Sequence, residues 1–297
     1  MRVFMTGATG FIGSYLVPEL LQAGHDVVGL CRSDKGEETL VRAGAEAFRG
    51  DLIDLGRLLE GVKSADGVIH AAFNHDFTKA RQHRETDRKV IEALGIALSG
   101  TDRPLIVTSG TGLVERSAPG AFVTEADPAA TSAKIPRAAT EEAAEVVLAR
   151  GVRVIILRLT QTHDTRNQGR IAHHIRLARE KGRVAYVGDG ANRIAAAHVS
   201  DAVRLFRLAL ERGKAGARYH AVGEQGVPMS EIAEVIGMGL SLPVGSITHE
   251  AAADYFGPLA GLAALDMAAS ADLTRRELGW EPTGPGLLED MHRMNWG

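Results

Sequence analysis

The sequence predicts an α/β fold, a doubly wound parallel sheet with a smaller C-terminal α/β lobe, and three observations predict it. In the opening stretch the apolar run Val3 to Met5 reads as a buried strand, glycines follow at Gly7, Gly10 and Gly13, and Ile12, Leu16 and Leu20 recur at helical spacing. Short apolar runs then return between amphipathic stretches as far as Arg158, the alternation of a sheet built from β-α units. Beyond Arg158 that alternation loosens. This divides the chain into a main domain over residues 1–164 and a second lobe over 165–297, intertwined with the first. At 297 residues the chain is long enough to bury a sizeable core.

The order strand, glycine turn, helix has a chemical meaning. Backbone N–H groups at a helix N-terminus and the helix dipole favour an anion, and glycines let a pyrophosphate approach them closely. A tight turn without a ligand is the plain alternative, but the strand before and the helix after favour a dinucleotide in a Rossmann-type domain. Gly7, Thr9, Gly10, Phe11, Ile12 and Gly13 are its expected contacts.

The stretch Thr6-Gly7-Ala8-Thr9-Gly10-Phe11-Ile12-Gly13 resembles the Thr-Gly-x-x-Gly-x-x-Gly signature of the extended and atypical short-chain dehydrogenase/reductases, the NAD(P)-dependent epimerase/dehydratase group. Further matches run to Leu278-Gly279-Trp280 and Pro282, so the resemblance covers nearly the whole chain. It implies a substrate-binding role for the lobe after the NAD(P)-binding domain.

Taken in order, the second strand is His25 to Cys31, followed by Arg32 and Ser33. An arginine at this place can pair with the 2′-phosphate of NADP, where NAD sites carry a carboxylate for the ribose hydroxyls, so NADPH is expected to be preferred over NADH. The third strand and its loop span Ala45 to Leu52, and the resemblance puts Asp51 and Leu52 by the adenine. The fourth strand, Gly67 to His70, runs into Ala71, Ala72 and Phe73, whose backbone lies along the cofactor; His70 reads as a packed strand-end residue. A long helix spans about Lys79 to Ser99. Pro104 to Thr108 is the fifth strand and leads into Ser109 and Thr111; a second helix spans Pro136 to Arg150, and Val152 to Leu157 is the sixth strand. In the resembled family these two helices form a dimer interface, which implies a homodimer. The segment Leu159 to Thr162 passes beside the nicotinamide in that family, so Leu159 and Thr162 are further cofactor contacts. In the lobe, Ile171 to Lys181, the face Ala202 to Leu210, and Ile232 to Ile236 read as helices, and Val184 to Val187 as a strand.

The family's usual chemistry rests on an Asn, a Ser or Thr, and a Tyr-x-x-x-Lys pair whose lysine lowers the tyrosine pKa. Here the resemblance breaks. Ser109 retains the Ser position and Asp87 stands at the Asn, but Arg137 occupies the Tyr position and Glu141 the Lys position. A guanidinium with a pKa above about 12 is no acid near neutral pH. Arg137 and Glu141, at i and i+4, read either as an ordinary helix ion pair or as a site in which Arg137 donates to a substrate oxygen. Other candidates for a protonic group are His163, His75, Asp76, Thr111 and His198; the stretch Asn74, His75 and Thr111 is expected to line the substrate, and Arg193 or Arg166 to hold an anionic group. A metal site is not expected, since the adjacent His173 and His174 point apart on a helix and no ligand stands at the needed spacing.

Composition excludes more than it assigns. A formal net charge of −3 gives no general attraction to nucleic acid or to an anionic membrane, and the basic run Lys79 to Arg84 is balanced by Glu85 and Asp87. Cys31 is the single cysteine, which fits a reducing compartment, and neither a signal peptide nor a membrane-spanning stretch is read, so a cytoplasmic protein is expected. Oxidising a hydroxyl needs a base, and the tyrosine that would supply one is missing. Reduction of a ketone, aldehyde, enone, imine or quinone by hydride asks less of the protein. An NADP-dependent oxidoreductase on a small carbonyl-like molecule is therefore the leading expectation. A catalytically degenerate NADP(H) sensor or scaffold, and a sugar-nucleotide epimerase or dehydratase, are the alternatives.

Overall fold

Each of the six apolar runs forms a strand in the computed structural model, which describes residues 1–73 and 80–297. They are β1 (Arg2–Thr6), β2 (Asp26–Cys31), β3 (Glu46–Arg49), β4 (Gly67–His70), β5 (Leu105–Gly110) and β6 (Val154–Leu159). Between them lie α1 (Phe11–Gln22), α2 (Asp34–Arg42), α3 (Leu55–Val62), α4 (Ala80–Leu98) and α5 (Ala139–Ala149). The third strand ends at Arg49, and the loop expected after it runs from Gly50 to Asp54, whose carboxylate accepts the Arg57 N–H and caps α3.

After Leu159 come β7 (Gln161–His163), α6 (Ile171–Lys181), β8 (Val184–Val187), β9 (Arg193–His198), α7 (Val199–Arg212), β10 (Arg218–Ala221), β11 (Glu224–Pro228), α8 (Met229–Leu240) and β12 (Val244–Ile247). The chain ends with α9 (Ala252–Phe256), α10 (Ala260–Ala263), α11 (Asp272–Leu278) and α12 (Leu287–His292). The main sheet is parallel throughout, in the order β10-β6-β5-β4-β1-β2-β3. One of its edge strands, β10, comes from beyond residue 165, so a later part of the chain joins the main sheet.

The side-chain alternation of a strand sorts the core into two layers. Val3 and Met5 face one layer with Leu16, Leu20, Phe206 and Trp280, under α1 and α7; Phe4, between them, faces the other with Leu58, Ile91, Leu94 and Val147, under α3, α4 and α5. The lobe has its own core, in which Ile171, Ile194, Ile232 and Met291 bring together α6, β9, α8 and α12. Among the described residues no helix is long and apolar enough to cross a membrane.

The strand order reverses between β1 and β4. The chain leaves β1 toward β2 and β3 and returns on the other side as β4, which opens a crevice at the C-terminal ends of these two strands, the place where such sheets bind ligands.

Candidate active site

The glycine turn forms one wall of that crevice. Gly7 has φ +73°, and a Cβ there would lie 2.7 Å from the Ala71 carbonyl carbon and the Ala72 nitrogen, so the turn after β1 rests directly on the chain leaving β4. A Cβ on Gly13 would lie 2.2 Å from the Gly7 carbonyl oxygen. Gly10 differs from both. Its Cβ would meet only the Gly7 oxygen, at 3.3 Å, and would otherwise stand in open space before the N-terminus of α1. The Gly10 cap supplies no side-chain acceptor and the first turn of α1 has no acidic residue, so its amides are left for an outside anion. This cradle fits the pyrophosphate of a dinucleotide.

Ala71, Ala72 and Phe73, which follow β4 beside the glycine turn, are half-buried, as are Phe11, Ile12, Asp51, Leu52 and Leu159; Thr162 is buried and Thr9 is exposed. At the end of β2, the Arg32 side chain is 75% exposed, and its guanidinium reaches only to 3.9 Å from the Asp51 carboxylate. Ser33 accepts the Gly36 N–H and caps α2.

Across the crevice a connected chain of polar groups runs from the cofactor turn to α5. The Thr6 hydroxyl and His70 Nδ1 are 2.7 Å apart, and His70 Nε2 is 3.0 Å from Asp87 Oδ1. An ionised Asp87 can only accept, so Nε2 carries a proton and, in the neutral ring, Nδ1 accepts from Thr6. The other Asp87 oxygen accepts from Arg137 Nη1 at 3.0 Å and from the Thr140 hydroxyl. Arg137 also donates to Thr140 and stacks on Phe73, with the guanidinium carbon 3.5 Å from the ring centroid. Burial alone would raise the Asp87 pKa; His70, Arg137 and Thr140 outweigh it and hold the carboxylate below its usual range. Burial also lowers the Arg137 pKa against the pull of Asp87, yet the group keeps its charge near neutral pH. Part of its side chain, 23%, stays open to solvent.

The helix ion pair between Arg137 and Glu141 does not form. Pro136–Ala138 is a 3₁₀ turn and α5 starts only at Ala139, so Arg137 is not in helical phase with Glu141. Glu141 is buried and meets Arg158 instead, in a two-pronged pair with Nε at 2.9 Å and Nη2 at 2.8 Å. The Ser109 hydroxyl donates to the same carboxylate at 2.5 Å, which commits that proton inward. Arg158 is fully buried and completes its contacts with the Asp127 carbonyl and His220 Nε2.

The remaining candidates divide between neighbourhoods. Thr111 is buried beside this edge and donates to the Leu159 carbonyl at 3.5 Å. His163 is fully buried in a separate cluster, with Nδ1 2.8 Å from Asp290, which also faces His198 at 3.6 Å; burial lowers the His163 pKa against the opposing effect of Asp290. Arg193, expected to hold an anion, is taken by Asp266 in a paired contact and by the Gly120 carbonyl. Arg166 is exposed. Asn74, His75 and Asp76 lie outside the described residues. No group of three or more metal-ligating side chains occurs among the described residues.

The sequence reading missed Thr140, Arg158 and Asp290 as members of these networks. Arg158 carries a signal that could have found it, a charge inside the apolar run Val154 to Leu157 and Leu159, which demands a buried partner. Asp290, 127 residues from His163, carries none.

The geometry agrees with comparisons against known proteins. The model of the NAD dependent epimerase/dehydratase family matches residues 3–222. An uncharacterized protein of Schizosaccharomyces pombe is 44% identical over 292 residues, 98% of each chain. A 4-hydroxy-2-methyl-3-oxo-4-farnesyl-3,4-dihydroquinoline-1-oxide ketoreductase of Stigmatella aurantiaca is 25% identical over 263 residues, covering 85% of this chain and 78% of its own. The crystal structure of the dTDP-glucose 4,6-dehydratase DesIV from Streptomyces venezuelae, with NAD and TYD bound, superposes with a TM-score of 0.79 at 21% identity, over 100% of this chain and 96% of that one.

Proposed function

This chain belongs to the NAD dependent epimerase/dehydratase family, enzymes of the short-chain dehydrogenase/reductase superfamily, and on that premise we propose that it is an NADP(H)-dependent reductase of a small carbonyl-like molecule. The observation that carries the reading is Arg137, a cation at the Tyr position, aimed by Asp87 and Phe73 and open along one edge. The glycine cradle would hold NADPH, which when bound would supply a hydride for a carbonyl carbon and be oxidised to NADP⁺. Arg137 stabilises the charge that develops on the oxygen, and that oxygen takes its proton from water. The turn at Gly7, Gly10 and Gly13 holds the pyrophosphate, and Arg32 takes the 2′-phosphate, for which its exposed guanidinium and long contact to Asp51 leave it free. His70 acts through Asp87 by fixing the carboxylate that aims Arg137.

Further readings join this one. Ile96 on α4 and Val146 on α5 are large apolar side chains 64% and 43% exposed, which supports a homodimer formed through these helices. The inward commitment of Ser109 to Glu141 supports a second reading, an NADP(H) sensor that binds without turnover.

The test is NADPH consumption over a panel of aldehydes, ketones, enones, imines and quinones, beside a Gly10→Asp control. Turnover that the control loses is the expected result. Tight NADPH binding with no turnover across the panel favours the sensor, and absence of any binding refutes the reading at its first step.

A further inference from the structure

The charged groups around the substrate side of the crevice are nearly all answered. Arg137 meets Asp87, Arg158 meets Glu141, and Arg193 and Arg116 share Asp266. Arg170, at the N-terminus of α6, is different. Its side-chain contact is to the Met267 sulfur, 2.9 Å from Nη1, and no carboxylate faces it among the described residues. Arg170 is half-buried, so its guanidinium is partly withdrawn from water with no carboxylate among the described residues to answer it, which costs free energy unless something else pairs with it.

Its place ties it to the reaction. The Arg170 N–H donates to Gln161 Oε1 on β7, just past the end of β6. A Cβ on Gly112 would lie 3.6 Å from the Met267 sulfur, so the Arg170–Met267 contact sits against the loop that follows Thr111. Arg170 therefore stands at the same C-terminal edge of β5 and β6 as the groups around Arg137.

We infer that Arg170 receives a carboxylate carried by the substrate, so that the molecule reduced is a carboxylated carbonyl compound. This rests on the reductase reading above. The planar fork of a guanidinium matches a carboxylate with two parallel hydrogen bonds. Arg193 is held by Asp266 in a paired contact, and Arg116, 3.8 Å from the same carboxylate, donates to the Ala121 and Ala268 carbonyls, so both are already engaged within the protein. His174, one turn along α6, is uncharged near neutral pH, since burial and then the charge of Arg170 lower its pKa to about 4. Burial lowers Arg170 itself only to about 10, which leaves it a cation.

The test is calorimetric titration of the protein saturated with NADP⁺, using acetate, pyruvate and benzoate, each beside its amide, and inorganic phosphate and pyrophosphate as further arms. The expected result is that at least one carboxylate binds more tightly than its amide. That affinity falls about 10- to 100-fold in Arg170→Gln, the weight of a hydrogen bond to a charged group, while the NADPH affinity holds. Arg170→Met should leave the melting temperature of the ligand-free protein unchanged or raised, because it removes an unanswered charge. Equal carboxylate affinity in wild type and Arg170→Gln, no carboxylate binding, a preference for phosphate or pyrophosphate, or a marked fall in melting temperature in Arg170→Met would each overturn the inference. These readouts need no turnover, so loss of the reductase reading, seen as NADPH binding without consumption, is told apart from loss of this one.

Discussion

The two walls of the crevice are built from opposite materials. On the β1 side the contacts are backbone, and the residues matter through side chains they lack: Gly7 and Gly13 let three segments touch, and Gly10 leaves a space. On the α5 side the contacts are charged side chains that saturate one another in two adjacent networks, Asp87 with His70, Thr140 and Arg137, and Glu141 with Ser109 and Arg158. The first wall is rigid because nothing else fits. The second is specific because each charge has a partner, and Arg137 stays partly open to solvent while Asp87, Glu141 and Arg158 are buried.

The largest expected effect separates packing from binding within the first wall. Gly13→Val places side-chain atoms on the Gly7 and Ala8 carbonyls and should abolish folding, by more than the roughly 5 kcal/mol that marks exceptional substitutions. Gly10→Asp should keep the wild-type circular dichroism and melting temperature within a few degrees while losing NADPH binding. If both variants unfold alike, Gly10 is a packing glycine and the cradle assignment fails.

In the second wall the two networks should answer differently. Glu141→Ala leaves the fully buried Arg158 unanswered and should lower stability by about 3–5 kcal/mol in denaturant titration, with Glu141→Leu combined with Arg158→Met recovering most of it. Arg137→Ala should do the reverse, with a small loss of stability and a fall in kcat of about 10²–10³, the weight of one oxyanion donor. Equal stability losses in the two single variants would erase the distinction between a structural and a reacting pair.

The acid limb of stability offers a smaller effect. His174 and His220 have pKa values lowered to about 4, in both cases chiefly by burial. Between about pH 6.5 and pH 4 the unfolded chain binds protons at these rings and the folded chain does not, so stability falls as pH falls through that window. The slope from each ring is at most about 1.4 kcal/mol per pH unit, and less from the more exposed His174. His220→Gln should flatten the profile measured by thermal melts, and an unchanged slope would remove His220 from it.

The smallest effect concerns the far end of the cofactor. Arg32→Ala should weaken NADPH binding about tenfold and leave NADH unchanged, the contrast shrinking with added salt because the arginine is exposed. Equal losses for both cofactors would take the 2′-phosphate away from Arg32.

How far these walls could be read in advance follows from what each is made of. Strand, turn and helix at Val3 to Leu20 are local, so the spacing of three glycines and six apolar residues was enough to specify the turn, and the apolar runs marked all six strands before residue 160. The pairing of charges was not. Arg137 and Glu141 stand four apart in the sequence and suggest a helix pair, but Pro136 opens a 3₁₀ turn that takes Arg137 out of phase, and each finds its partner elsewhere, 50 residues away at Asp87 and 17 away at Arg158. Arg193 attracted notice for its setting in the sequence and proved answered by Asp266, 73 residues on, whereas Arg170 carried no motif and meets no carboxylate among the described residues.

The sequence by itself determined the fold class, the position of the glycine turn and the absence of the Tyr-x-x-x-Lys pair, since these depend on local sterics and on which residue types are present. The tertiary structure alone decided which cations are paired and which are left without a carboxylate among the described residues, because a charge is neutralised by whatever the folding of distant segments brings within about 4 Å of it.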